Sequence, residues 1–92
     1  MTNTMHFCGN FLIYFFTTPE AIKALNAIPE NLYFHKNGNN LRCSRGGEDV
    51  KIEYADTSKG ISLFLNSEEF QTVKPEYIDC IKDEKGKILW QK

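Results

Sequence analysis

Residues 11–16 read Phe-Leu-Ile-Tyr-Phe-Phe, six consecutive apolar or aromatic side chains closed by Thr17-Thr18-Pro19. A transmembrane helix needs about 20 apolar residues, so this run is far too short to cross a bilayer. Apolar side chains at both parities of the run suit a strand in the middle of a sheet, buried on both sides. The rest of the chain has to be arranged around that strand.

Thr18-Pro19-Glu20 reads as a helix start. The residue before a proline is pushed out of the α region, so Thr18 suits the N-cap and Pro19 the first helical position. Glu20 then lies near the positive end of the helix dipole. Ile22, Leu25 and Ile28 form an apolar stripe, helped by Ala21 and Ala24, and Pro29 ends the helix. Four short segments follow, Leu32–Lys36, Leu41–Arg45, Val50–Tyr54 and Ile61–Leu65. They are separated by turn chemistry at Asn37-Gly38-Asn39-Asn40, Gly46-Gly47 and Asp56–Gly60. Read as strands, they form an antiparallel meander whose apolar face the helix covers. Val50, Ile52 and Tyr54 share one strand face, and Ile61, Leu63 and Leu65 share another.

Asn66-Ser67-Glu68-Glu69 opens a short helical turn that cannot continue past Lys74-Pro75. Tyr77–Lys82 and Ile88–Gln91 form a last hairpin around Asp83-Glu84-Lys85-Gly86. The expected fold is α+β: a mainly antiparallel sheet in the order β-α-β-β-β-β-short α-β-β, with one principal helix packed on one face. It is one domain over residues 1–92, with residues 1–5 frayed.

At 92 residues a chain buries roughly 60–65% of its unfolded surface, enough for one core. It leaves no room for the deep cleft that a small-molecule substrate requires. The net charge of −1 supplies no global field toward nucleic acid or anionic lipid. The charge is unevenly divided, however. Residues 1–47 hold four basic side chains against two acids, whereas residues 48–92 hold seven lysines against ten acids. Three cysteines, Cys8, Cys43 and Cys80, are an odd and unclustered set. That pattern suits a reducing compartment, and with no signal-peptide pattern at the N-terminus it indicates a cytoplasmic protein.

His6, Cys8, His35 and Cys43 are the residue types of a zinc site, but only His6 and Cys8 are close in sequence. The cysteines read better as small core hydrophobes, so neither metal nor cofactor is expected. Neither histidine stands in a nucleophile-elbow or cysteine-protease context, and no catalytic mechanism is assigned. The acid pairs Glu48-Asp49, Glu68-Glu69 and Asp83-Glu84 fall at turns or helix starts, where solvation and capping account for them. Glu53 and Asp79 are the acids inside expected strands. Gly46-Gly47 lies between strands without a phosphate-loop context. Glu30-Asn31-Leu32-Tyr33-Phe34 resembles the start of a viral protease recognition sequence, but His35 stands where that sequence needs Gln.

Two surfaces remain. Lys36, Arg42 and Arg45, with Tyr33 and His35 beside them, place cations and an aromatic ring on one hairpin, a combination that holds phosphates or an acidic protein surface. Phe64, Tyr77 and Trp90 offer aromatic anchors beside the acidic second half. The expected function is that of a small non-enzymatic binding protein. It would act as a stoichiometric inhibitor of a protein or nucleoprotein complex, in the manner of immunity proteins, antitoxins or phage-encoded inhibitors of host nucleases and CRISPR complexes. The alternative is a nucleic-acid-binding module that uses the Lys36/Arg42/Arg45 face.

Overall fold

The apolar run forms strand β2 (Phe11–Phe15), and it is the middle strand of a five-stranded antiparallel sheet. The computed structural model describes residues 5–6, 9–28, 34–44, 50–70 and 73–92. Strands β3 (Phe34–Asn37) and β4 (Asn40–Cys43) lie on one side of β2, and β6 (Ile78–Asp83) and β7 (Ile88–Gln91) on the other, in the order β3-β4-β2-β6-β7. A separate two-stranded pairing joins β1 (Met5–His6) to β5 (Glu53–Tyr54). Met5 and His6, expected at a frayed end, therefore pair with Tyr54 and Glu53. The fold class is α+β, as the periodicity indicates.

Helix α1 (Pro19–Ala27) starts as read: Thr18 is the N-cap in extended conformation, and its Oγ1 accepts from the Ala21 amide at 3.2 Å. Of the expected stripe, Leu25 and the C-cap residue Ile28 are buried with Ala21 beside them, and Ile22 is left 40% exposed. The two-residue Gly38–Asn39 loop joins β3 to β4, with Gly38 at φ 64°. Only glycine adopts that conformation without strain, and it matches the twist of the strands it joins. The β6–β7 hairpin is also where the sequence puts it. The Asp83 carboxylate accepts from the Lys85 and Lys87 amides at 2.9 and 2.8 Å.

The expected strand Ile61–Leu65 is a helix. Helix α2 (Thr57–Leu65) is capped by Asp56, whose Oδ1 accepts from the Ser58 amide at 3.0 Å. The residues read as a turn at Asp56–Gly60 are its cap and first turn. Ile61 and Leu65, four apart, are buried, and Leu63 is 49% exposed. The alternation of Ile61, Leu63 and Leu65 was therefore incidental to a helical repeat. Two 3₁₀ turns follow, Glu68–Phe70 and Pro75–Tyr77, the first in place of the expected short helix. Val50 and Ile52 are buried as expected, but only Glu53–Tyr54 of that segment is strand, and Val50 makes a lone bridge to Gly9.

A single cluster forms the core. Phe11, Ile13 and Phe15 of β2 meet Leu41 and Cys43 of β4 and Ile78 and Ile81 of β6, and both helices add their buried faces to the same cluster. Phe70 and Val73 close it from beyond α2. Among the described residues, no buried side-chain nitrogen or oxygen lacks a hydrogen-bond partner. No described helix is long and apolar enough to cross a membrane.

Candidate functional site

Because strand side chains alternate, placing Phe11, Ile13 and Phe15 in the core sends Leu12 and Tyr14 to the other face of the sheet. Both are only half-buried. Both helices bury their apolar sides in the core cluster, so no helix among the described residues covers that face. Register builds it in two cross-strand rows. His35, Arg42, Leu12, Lys82 and Ile88 form the first, and Asn37, Asn40, Tyr14, Cys80 and Gln91 the second. The expectation of a central strand buried on both sides holds for its position but not for its outer face.

Along the first row Leu12 lies between Arg42 and Lys82 with Ile88 on the edge strand, and along the second Tyr14 and the buried Cys80 lie between Asn40 and Gln91. Ile88 is 50% exposed, and Phe16, just past the end of β2, is 39% exposed. The Lys82 ammonium lies 5.2 Å from the Tyr14 ring centroid, and Lys92 Nζ lies 6.0 Å from that of Phe16. These cation–π contacts hold flexible cations over exposed rings.

At the end of the face near the start of β2, five polar side chains converge. Arg42 donates from Nη2 to Glu84 Oε1 at 2.6 Å, both side chains being about half exposed. Asn10 satisfies its neighbours when its nitrogen donates to the Cys43 carbonyl at 2.8 Å and its oxygen accepts from Arg42 Nη2 at 2.9 Å. His35 Nε2 lies 3.2 Å from Ser44 Oγ, and Ser44 is the one buried polar residue among those described. Asn10, His35, Arg42 and Ser44 line a shallow cavity of about 420 Å³. A second hollow of about 350 Å³ adjoins it, sharing His35 and Arg42 and reaching Leu12 and Asn40.

The residues proposed from sequence divide accordingly. Arg42 sits at the centre of the polar end. Lys36 does not share its face: Lys36 pairs with Leu41 on the core side and donates to the Asn26 carbonyl of α1 at 3.3 Å. Alternation along β3 separates the two cations that hairpin proximity seemed to join. Tyr33 and Arg45 lie outside the described residues. Phe64 packs edge-on against Phe11 with centroids 5.8 Å apart, and Trp90 is paired with core-facing Ile81. Phe64, Tyr77 and Trp90 are partly buried against the core.

His35 and Cys43 lie on opposite faces of the sheet and cannot share a metal ion. Among the described residues, no cluster of three or more His, Cys, Asp or Glu forms a metal site. Glu53 and Asp79 are exposed. The residues that sequence reading missed are Leu12, Tyr14, Ser44, Asn10 and Lys82.

Burial pushes the Cys43 thiol well above its ordinary value. Burial also raises Cys80, with the Asp79 charge adding to the shift and the Lys82 charge opposing it. A thiol whose folded pKa is raised keeps its proton where the unfolded chain, titrating near 8.5, has lost it. Its stabilising contribution is therefore complete below about pH 8.5 and is lost as pH rises beyond that. Denaturant titrations above that pH should show stability falling by up to about 1.4 kcal/mol per pH unit for Cys43. The Cys43→Ala variant should lack that part of the slope; an unchanged slope would show that Cys43 ionises freely in the folded chain.

No family model, curated protein or solved structure matches this chain.

Proposed function

We propose that this chain is a cytoplasmic, non-enzymatic binding protein that uses the uncovered face of its sheet to occlude a macromolecular partner stoichiometrically. It belongs by type with immunity proteins, antitoxins and phage anti-defence inhibitors. The observation that supports this reading is the outer face of β2. A solvated antiparallel strand alternates apolar inside with polar outside, but this strand places Leu12 and Tyr14 outward, with the exposed Ile88 beyond Lys82 in the same row. An apolar and aromatic centre rimmed by Arg42, Lys82, Asn37, Asn40 and Gln91 is the make-up of a protein interface.

A nucleic-acid module on the same hairpin is the second reading, favoured by the Tyr14 ring with Arg42 and Lys82 on its face. It has less support, because Lys36 leaves the hairpin on the opposite side, so that Arg42 and Lys82 are the fixed cations on the described rows of this face.

The test is to isolate the complex from the native host and titrate the partner's activity with purified chain. Inhibition should rise linearly with the molar ratio and saturate at one chain per partner. Complete inhibition at a small fraction of that ratio would indicate turnover and sink the reading. Retention on single-stranded DNA or RNA at low salt, weakening steeply as salt rises, would favour the second reading instead.

A further inference from the structure

We infer that the cavity between Asn10, His35, Arg42 and Ser44 is a carboxylate subsite, which receives an aspartate or glutamate side chain from an acidic segment of a protein partner. The inference rests on the reading of the uncovered face as the docking surface and names the chemistry at its polar end.

All four lining side chains are polar, and the cavity of about 420 Å³ is open to solvent on the face that carries Tyr14 and Leu12. Arg42 supplies the charge. Its bonds to Glu84 and to Asn10 both leave from Nη2, the nitrogen common to both two-donor edges of a guanidinium, so an incoming carboxylate takes a bidentate seat by displacing one of them, and the Nε and Nη1 hydrogens remain as single donors. Ser44 is held beside His35. The His35–Ser44 pair, 3.2 Å apart, sets a second hydrogen-bonding group in the lining beside the guanidinium.

Charge selects the occupant. Arg42 is the one side chain lining the cavity that carries a fixed positive charge, which matches the single negative charge of a carboxylate. A nucleic-acid strand needs several cations spaced along its phosphates. On the described rows of this face the only other one is Lys82, which lies over the Tyr14 ring. Glu84 already shows a carboxylate seated on this guanidinium. With both partners half exposed the pair is weak, so an incoming carboxylate can exchange with it.

The experiment is to titrate the isotope-labelled full chain with a hexaglutamate peptide, following backbone amide shifts by NMR. Parallel titrations use inorganic phosphate and a dodecathymidylate strand. Saturable shifts at Asn10, His35, Arg42 and Ser44 are expected with hexaglutamate. Arg42→Gln should weaken binding about tenfold or more and Ser44→Ala several-fold, while Lys59→Gln on α2 leaves it unchanged. Retained spectral dispersion shows that each variant is folded. Absence of saturable shifts at these residues, or shifts indifferent to both Arg42→Gln and Ser44→Ala, overturns the subsite. Stronger perturbation of the same residues by phosphate or by the DNA strand overturns the carboxylate assignment. A host complex that survives both substitutions but is lost on Tyr14→Glu removes the subsite and leaves the docking face. A complex indifferent to Tyr14→Glu removes the docking face itself.

Discussion

Phe11→Ala should cost about 3–5 kcal/mol of folding stability, the range for truncating a fully buried phenylalanine. Phe11 is 0% exposed and lies on β2 where the sheet meets α2, with the Phe64 ring set edge-on against it at 89°. The loss combines transfer of the ring to water, the cavity left behind, and the aromatic pair itself. Domains of this size hold about 0.05–0.15 kcal/mol per residue, so the variant should forfeit about a fifth or more of its total stability. Denaturant unfolding measures it directly. Leu12→Ala, one residue along the same strand, should cost less, about 1–2 kcal/mol, because that side chain is only partly buried. Equal losses at the two positions would mean that both faces of the sheet are covered.

Gly60→Ala should destabilise the chain by about 1–3 kcal/mol, against the usual gain from replacing a helical glycine. Alanine is favoured over glycine inside a helix by about 1 kcal/mol. Here, however, a Cβ would sit 2.1 Å from Ile52 Cγ2 and 3.1 Å from Tyr54 Cβ. Ile52 is buried, and its γ-methyl sits on the stiff, branched Cβ, so the helix must move off the β5 segment. Ile52→Ala in the same chain should relieve part of the penalty, giving a coupling energy measurable by a double-mutant cycle. A Gly60→Ala variant more stable than the parent chain would show that α2 does not pack against that segment.

The central position of β2 and the start of α1 were legible because each rests on local chemistry: six apolar residues in a row, and a threonine before a proline. The two hairpins were legible from their glycine and aspartate turns. Helix α2 was hidden because Ile61, Phe64 and Leu65 satisfy a helical repeat while Ile61, Leu63 and Leu65 satisfy a strand repeat. Asp56 serves equally as a turn residue and as an N-cap, and Gly60, which looks like the end of a turn, is required by the close approach to Ile52. Long-range packing decides among these, and it is not written in any short window.

The grouping of Lys36 with Arg42 failed for a related reason. Residues close along a hairpin were grouped, whereas strand alternation sends Arg42 and Lys36 to opposite faces. The usable signal was in β2 itself. Its apolar side chains point both ways, yet the two helices that connect its strands, α1 between β2 and β3 and α2 between β5 and β6, both add their buried residues to one core cluster. One apolar face of the central strand therefore had to stay uncovered, and Leu12 and Tyr14 mark it.

The most direct measurement compares two matched double variants for affinity to the isolated host partner, each adding two negative charges. Tyr14→Glu with Ile88→Glu alters the uncovered face. Ile22→Glu with Leu63→Glu alters exposed apolar positions on the two helices. Burying an unpaired carboxylate in an interface costs several kcal/mol, so the first pair should weaken binding about a hundredfold or more, while the second leaves it within about threefold. Loss of binding by the helical pair, with the sheet pair unaffected, would contradict the assignment of the sheet face as the working surface.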